Sequence, residues 1–475
     1  MHSYNSHMIV IVRPGNTAIH YAIREGRLET VSLLLKVKAD PHLRNDFSDD
    51  ALTTACLRGH DDIMELLIKT MTYSRETVAN AYELIGASYA DEKHDLGGAL
   101  NFWRRGMALR FEQPDAVLPK SDLVPPRDVY QQQTEACSMQ ELESIASSPD
   151  AIHLQSLLVR ERILGAQHKD TVFGLMYRGA VYADTNQYQR CVDLWKYAFV
   201  LRHDKEEAIS SECIFTLQAL CKLFWEIHEE WQSNFVTANV KLHDVMEVLK
   251  CSVLEVIRKK DVPPAVVCLN QQHNVTEPGL ELQTMLVLIL HMASLVLKLS
   301  PEPSLEFKRL MHSLLRSCAS GGNGQSLLHL ACDKKMSSLA DDFYSQLPDL
   351  DLVRMLLDCG ANAEAVDSDN NTVLHVCAEG LNQLHTQRKY RETVEELVAI
   401  LLASGAHIDV INRRGINACD VLKFRCPNVH VVHHVTLKCL AARTIAKQNI
   451  NYQNADIPSA LIPFVDMHKG FAPRC

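Results

Sequence analysis

Apolar and polar residues near the start of the chain follow a pattern that occurs twice. The first cycle comprises residues 17–22 (TAIHYA) and the apolar run 31–35 (VSLLL). The second comprises residues 50–55 (DALTTA) and the run 63–68 (IMELLI). Their starting points, residues 17 and 50, lie 33 residues apart. Each cycle predicts two short helices joined by a turn, with one apolar face per helix.

This period and these residues match the ankyrin repeat, whose T-P-L-H-x-A signature recurs every 33 residues. We therefore expect two ankyrin repeats in residues 15–72. The signature returns as SLLHLA (326–331), as TVLHVC (372–377) and, truncated, as GINACDVL (415–422). These matches predict C-terminal ankyrin repeats with insertions in residues 321–430.

Three histidines, His20, His329 and His375, occupy the signature position of these repeats. A histidine there ordinarily ties the start of a helix to neighbouring backbone. We expect this structural role, and not catalysis or metal binding, because the repeat itself explains the residue.

A different helical pattern occupies residues 73–202. Residues 83–108 and 179–198 predict helical hairpins of tetratricopeptide type, in which small residues allow two helices to cross closely. Trp103 and Trp195 would flank these crossings. We expect both to be framework residues and not a stacking platform for a ligand.

Two segments join these hairpins. Residues 111–149 contain four prolines between positions 114 and 126, which predicts an irregular connector. Residues 151–163 (AIHLQSLLVRERI) predict an amphipathic helix that packs before the second hairpin.

Residues 203–320 have helical periodicity without a recognisable repeat, which favours further helical solenoid. Their most apolar run, residues 285–299, is interrupted by His291, Ser294 and Lys298. Because this run is too short to span a bilayer, we expect a buried helix.

Near the C-terminus, Leu437, Ala441 and Ile445 are spaced four residues apart and would form a narrow apolar stripe on a helix. The small Ala441 would let a partner approach the backbone, and Leu437 would fill a partner's pocket. Polar residues 449–456 end this pattern, and Pro458 begins the apolar segment IPSALIPF (457–464). A short helix followed by a proline-led apolar segment indicates a docking site.

Composition narrows the class of protein. The net charge of −10 and pI near 6.1 argue against nonspecific nucleic-acid binding. The fifteen cysteines include no CxxC pair, which is typical of reduced, intracellular thiols. No signal peptide or membrane-spanning segment is recognisable. We expect a cytoplasmic protein, also compatible with the nucleus, that binds neither nucleic acid nor membrane.

No catalytic motif such as HExxH, GxSxG or a P-loop occurs, so we expect a non-enzymatic protein without cofactor or metal. One alternative is a zinc site in the histidine-rich stretch before the terminal helix, although its spacing matches no standard zinc finger. Its candidate ligands are Cys426, His430, His433, His434 and Cys439.

Several longer segments resemble the Fem family, ankyrin-repeat substrate receptors of cullin-2 ubiquitin ligases. The similarity extends over roughly residues 15–468. The matching segments are ELIGASYAD (83–91), LVPP (123–126), QELESI (140–145), LLVRERILGA (157–166), YRGAVYAD (177–184), LLDCGANAEAVD (356–367), TLKCLAAR (436–443) and NINYQ (449–453).

This resemblance implies a substrate-recognition subunit that binds elongin B/C and cullin-2. Such a subunit recruits proteins with arginine-type C-terminal degrons for ubiquitination and proteasomal degradation. By the same resemblance, the elongin-binding box contains Leu437, Ala441 and Ile445. The cullin-binding box contains Ile457, Pro458, Leu461 and Phe464.

Family members usually carry more ankyrin repeats before the tetratricopeptide region than the two found here, so no degron-binding residue is assigned. An acidic patch for a basic peptide would involve Asp46, Asp49, Asp50, Asp61 and Asp62. Solvated turns and helix N-termini explain these carboxylates better. An alternative function is an ankyrin/tetratricopeptide scaffold that does not recruit substrates productively.

Together these patterns predict an all-α ankyrin–tetratricopeptide–ankyrin helical solenoid with a C-terminal elongin/cullin docking box. The expected segments are an unmatched N-terminus (1–14), two ankyrin repeats (15–72), a tetratricopeptide-like region (73–202), a helical linker (203–320), C-terminal ankyrin repeats (321–430), the docking box (431–468) and a tail (469–475).

Overall fold

The computed structural model describes residues 15–205, 209–235, 239–259, 280–337, 347–381, 388–426, 434–448, 450–452 and 458–468. The chain forms two compact units, residues 1–205 and 206–475. Within the described ranges there is no β-strand, only two isolated antiparallel bridges, Val366 with Thr372 and Ile411 with Asn417. The expected all-α repeat solenoid class is confirmed.

Helical hairpins follow one another along both units. The helices of the first unit are α1 (Ala18–Arg24), α2 (Leu28–Lys36), α3 (Ala51–Leu57), α4 (Asp61–Thr70), α5 (Arg75–Asp91), α6 (Leu96–Phe111), α7 (Met139–Ile145), α8 (Pro149–Leu164), α9 (Lys169–Asp184) and α10 (Tyr188–Lys205). Those of the second unit are α11 (Ser211–Gln232), α12 (Leu242–Lys259), α13 (Leu280–Leu299), α14 (Leu305–Arg316), α15 (Leu327–Cys332), α16 (Leu350–Asp358), α17 (Val373–Leu381), α18 (Arg388–Ala403), α19 (Ala418–Arg425), α20 (Leu437–Lys447) and α21 (Ile462–Asp466).

The signature histidines connect successive ankyrin repeats. The Nδ1 atom of His20 accepts the backbone N–H of Thr17 at 3.2 Å, so its Nε2 carries the proton and donates to the Asp49 carbonyl at 3.0 Å. His329 and His375 make the same two bonds, with Nε2 to carbonyl distances of 3.0 and 3.1 Å. Burial lowers the pKa of both below the ordinary histidine value, so they stay neutral. The expected structural role is confirmed.

Two helical hairpins in the first unit share one packing device. In α5–α6 and in α9–α10, a tryptophan on the second helix lies over a glycine on the first: Trp103 over Gly86, and Trp195 over Gly179. Each indole Nε1 donates to a backbone carbonyl of the facing helix at 2.9 Å. Both tryptophans are therefore framework residues, as expected.

The proline-rich connector is fixed by a buried ion network. Glu83 on α5 binds Arg110 (2.8 Å), Arg162 (2.5 Å) and Lys120 (3.5 Å), and Glu135 binds Lys120 (2.5 Å) and Arg162 (2.6 Å). All five side chains are at most 3% exposed. Burial raises the pKa of Glu83, but its three cationic neighbours lower it more, so Glu83 is ionised. Lys120 and Glu135 thereby hold the connector against α5 and α8.

Helix α8 differs from its prediction. Instead of an amphipathic helix with one solvated face, α8 is buried along most of its length, including Arg160 and Glu161. Its charged residues are matched by partners from other elements, since Glu161 accepts from Arg127 and Tyr197. Periodicity alone could not reveal partners so distant in the sequence.

Helix α13 is the core of the second unit. It has 20 residues, and an 18-residue apolar window within it has a mean hydropathy of 1.9. By length and composition it could therefore cross a membrane, so the expectation that this run is too short was wrong. However, 72% of that apolar window is buried inside the protein. Residues 285–296 are all buried, which agrees with the predicted buried helix.

A glycine substitution tests the tryptophan packing. We expect Gly179→Ala to destabilise the first unit by about 1–3 kcal/mol, because the new methyl group would overlap the Trp195 indole. Gly174→Ala on the same helix is the control, since its methyl group would meet only the movable ends of Leu157 and Arg160. Urea denaturation of both variants measures the difference. Equal stabilities would contradict the packing described here.

Candidate protein-docking site

The terminal docking helix, α20, begins at a well-formed cap. The Thr436 hydroxyl accepts the backbone N–H of Cys439 at 3.2 Å, which satisfies one of the free amides of the first turn. The helix then runs from Leu437 to Lys447 without a proline or glycine. Thr436 therefore fixes Leu437 as the first helical residue.

One side of α20 packs against the rest of the protein and the other side does not. Cys439 and Ala442 face inward and are 0% and 2% exposed. With Tyr452, Phe464 and Val465 they form a small apolar cluster. On the outer side, Leu437 is 84% and Leu440 48% exposed, and Ala441 is exposed as well. The helix thus presents an uncovered apolar surface formed by Leu437, Leu440 and Ala441, which we call the outer face.

The structure divides the predicted stripe. Leu437 and Ala441 lie on the outer face, whereas Ile445 is half-buried against the apolar cluster. Leu440 was missed by the sequence analysis, although its position three residues after Leu437 is a neighbouring position on a helix.

The proline-led segment lies against the inner side of α20. Pro458 is exposed, Leu461 is half-buried and Phe464 is only 8% exposed, while Ile457 lies outside the described residues. The Phe464 ring lies under Lys438, whose Nζ is 3.9 Å from the ring centroid. Phe464 therefore stabilises the docking helix and has little surface left for a partner, whereas Pro458 and part of Leu461 remain accessible.

A buried carboxylate attaches this assembly to the last ankyrin repeat. Asp409, which follows α18, is bound through Oδ2 by Arg443 of α20 at 3.2 Å and by His468 at 3.0 Å. Burial raises the pKa of Asp409, but the His468 hydrogen bond and the Arg443 charge lower it further than burial raises it. The backbone N–H of Ile411 also donates to the Met467 carbonyl at 3.1 Å. Helix α20 and the end of the docking segment are thereby fixed to the same loop.

The residues of the zinc alternative are not assembled as the sequence suggested. His430 and His433 lie outside the described residues, and His434 is exposed. Cys426 is buried, and in the described part of the chain it belongs to no group of three close metal donors. Cys439 lies instead near His407 and Asp409 of the last repeat.

The carboxylates considered for an acidic patch are mostly engaged in contacts within the protein. Asp50 caps α3 by accepting the Thr53 N–H at 2.8 Å. Asp49 is buried against His168, and Asp61 accepts the Tyr89 hydroxyl at 2.8 Å. These contacts agree with the structural interpretation of the acidic residues.

Comparison with known families identifies the repeats. A family model of three ankyrin repeats matches residues 4–80, and a single ankyrin-repeat model matches residues 323–368. The first match includes the two repeats expected in residues 15–72 and extends beyond them on both sides, into the segment 1–14 that was expected to match no repeat. The second match lies within the expected C-terminal ankyrin region, residues 321–430.

Curated relatives resemble nearly the whole chain. Protein fem-1 homolog A of Danio rerio is 33% identical over 431 residues, which is 90% of this chain and 66% of the relative. Protein fem-1 homolog C of Xenopus laevis is 33% identical over 88% of this chain and 65% of its own length. Protein fem-1 homolog A of Homo sapiens is 32% identical over 96% of this chain and 73% of its own length. The chain thus spans about two thirds of the length of the relatives it matches.

Proposed function

The chain belongs to the fem-1 family of ankyrin-repeat proteins, and we propose that it is a substrate-recognition subunit of a cullin-2–elongin B/C ubiquitin ligase. The observation that carries this proposal is the outer face of α20. Leu437, Leu440 and Ala441 are exposed side by side on one surface of an anchored helix, and a contiguous exposed apolar surface of this kind favours a protein-interaction site.

The form of the outer face suits a helix-in-groove contact. Leu437, Leu440 and Ala441 are spaced as i, i+3 and i+4, which puts them side by side on one helical surface. Leu437 would insert into an apolar pocket of elongin C, and the small Ala441 would allow close approach of the backbone. The family resemblance of the TLKCLAAR segment supports elongin C as the partner.

The accessible part of the proline-led segment is the proposed cullin-2 contact. Pro458 is exposed and Leu461 is half-buried, so this part of the segment has surface left for a second partner. Phe464 acts indirectly in this proposal, because its ring supports α20 from beneath.

The proposed mechanism is proximity and uses no catalytic residue of this chain. The docking segment would fix the receptor to the ligase, and the repeats would hold a substrate near the activated ubiquitin carrier. Arginine-terminated proteins are the proposed substrates. This part depends on the family resemblance in the ankyrin and tetratricopeptide regions and names no pocket residue.

Leu437→Asp tests the elongin contact. Burying a leucine contributes about 1.5–3 kcal/mol, so we expect the dissociation constant for elongin B/C to rise at least about tenfold. The helix itself should tolerate the change, because a carboxylate is favourable at a helix N-terminus. Leu305→Asp is a matched control: Leu305 is 62% exposed and is the first residue of α14 after a serine cap. Unchanged elongin binding by the Leu437 variant, measured by biolayer interferometry, would refute the contact.

Substitutions in the proline-led segment should distinguish a direct contact with cullin-2 from structural support of helix α20. Leu461→Ala should weaken cullin-2 binding and leave elongin B/C binding intact. Phe464→Ala should reduce both and lower thermal stability, because truncating a buried phenylalanine costs about 3–5 kcal/mol. Phe235→Ala, at a residue that is 84% exposed, controls for loss of a surface ring. If Phe464→Ala lost only cullin-2 binding at unchanged stability, a direct contact would replace the supporting role.

A peptide experiment tests substrate recruitment separately from docking. We expect the full chain to bind a peptide ending in arginine more tightly than the same peptide ending in aspartate, as measured by fluorescence anisotropy. Equal affinities for the two peptides would contradict the receptor function. If elongin and cullin-2 binding persisted in that case, the chain would be a scaffold without productive recruitment.

A further inference from the structure

Side chains of the types that can bind a metal lie close together beneath the docking helix and come from two separate segments. His407 and Asp409 come from the loop after α18, and Cys439 comes from the inner side of α20. One donor atom of each lies within 4.8 Å of the others. Asp409 and Cys439 are fully buried, and the His407 side chain is 25% exposed. The group is therefore shielded from bulk water but not sealed.

The Asp409 carboxylate is only half satisfied by protein groups. Its Oδ2 accepts from Arg443 and His468, whereas its Oδ1 is buried without a hydrogen-bond partner. Leaving a buried carboxylate oxygen unpaired is costly, so this atom indicates a missing cation or donor.

One histidine of this group is oriented as metal ligands usually are. The Nε2 atom of His407 lies 2.9 Å from Glu364 Oε1, which leaves Nδ1 as the atom that can bind a metal. His468 differs, because its Nδ1 lies 2.7 Å from the Phe464 carbonyl and its Nε2 lies 3.0 Å from Asp409 Oδ2, so both of its ring nitrogens are engaged within the protein. Metal-bound histidines almost always donate their other N–H to a carboxylate or a carbonyl.

We propose that these residues form a structural zinc site. Its protein ligands are Cys439 Sγ, His407 Nδ1 and Asp409 Oδ1. One sulfur, one nitrogen and one oxygen are a donor set that suits zinc and does not suit calcium or magnesium, which prefer oxygen. The metal would join the inner side of α20 to the last ankyrin repeat.

A second group of three potential metal ligands in the described residues is not expected to bind a metal. Asp49, His168 and Asp170 also approach within 4.8 Å. However, His168 Nδ1 accepts the Asp170 N–H at 3.2 Å, and its Nε2 lies 3.1 Å from Asp49 Oδ1. Because both ring nitrogens are already engaged in hydrogen bonds within the protein, this group is a structural contact.

Metal analysis of the purified full chain tests the proposal. After chelation and zinc titration, mass spectrometry of the dialysed protein should find one zinc per chain. Cobalt substitution should produce a thiolate-to-cobalt absorption band in the near ultraviolet. Cys439→Ser should abolish both, and Cys221→Ser, at another fully buried helical cysteine, should keep both. Zinc well below one per chain, or full zinc binding by the Cys439 variant, would overturn the site. The cluster would then be held by its hydrogen bonds and ion pairs alone.

Glu364→Ala keeps the test decisive if Cys439→Ser does not fold. The Glu364 side chain is 48% exposed, so its change should preserve the fold. Losing the partner of His407 should weaken zinc binding by about 10–100-fold. An unchanged zinc affinity would contradict His407 as a ligand. Leu437→Asp should retain zinc, so failure of this proposal and failure of the elongin contact are distinguishable.

Discussion

A repeat in an ankyrin array cannot bury its apolar face alone, and this constraint governs the C-terminal part of the second unit. Each repeat relies on the next to cover its helices and to supply the carbonyl that its signature histidine binds, as His375 does with Ile416. The last repeat has no further repeat to fulfil this requirement in the described residues. The docking segment covers it instead, through the Asp409 contacts and the Ile411–Met467 hydrogen bond.

The docking helix consequently has two sides with different tasks. Cys439 and Ala442 pack inward, where side chains are small and the helix lies close to its support. Leu437 and Leu440 point away from that support. If the inner side were poorly fixed, the exposed leucines would collapse onto the nearest apolar surface. Firm attachment on one side is therefore what keeps the other side available for a partner.

Sequence patterns predicted this arrangement only in part. The repeats, the two tryptophans and the position of the terminal helix follow from local periodicity, which depends on residues a few positions apart. The burial of Phe464, the half-buried Ile445 and the pairing of Asp409 with His468 depend on contacts across many residues, 59 in the last case. Helix α8 in the first unit is a further example, because its charged side chains pair with residues that are distant in the sequence.

The cluster of His407, Asp409 and Cys439 under α20 depends both on local sequence pattern and on contacts between distant residues. Cys439 lies within the segment that resembles the family's docking box, yet its side chain points away from the outer face and cannot touch a partner there. Its near neighbours His407 and Asp409 belong to the ankyrin array. Cys439 of the docking segment thus lies against the ankyrin array, and His407 and Asp409 of the array lie against the docking segment. Stability of the last repeat and presentation of Leu437 are therefore physically coupled, because the same few side chains determine both.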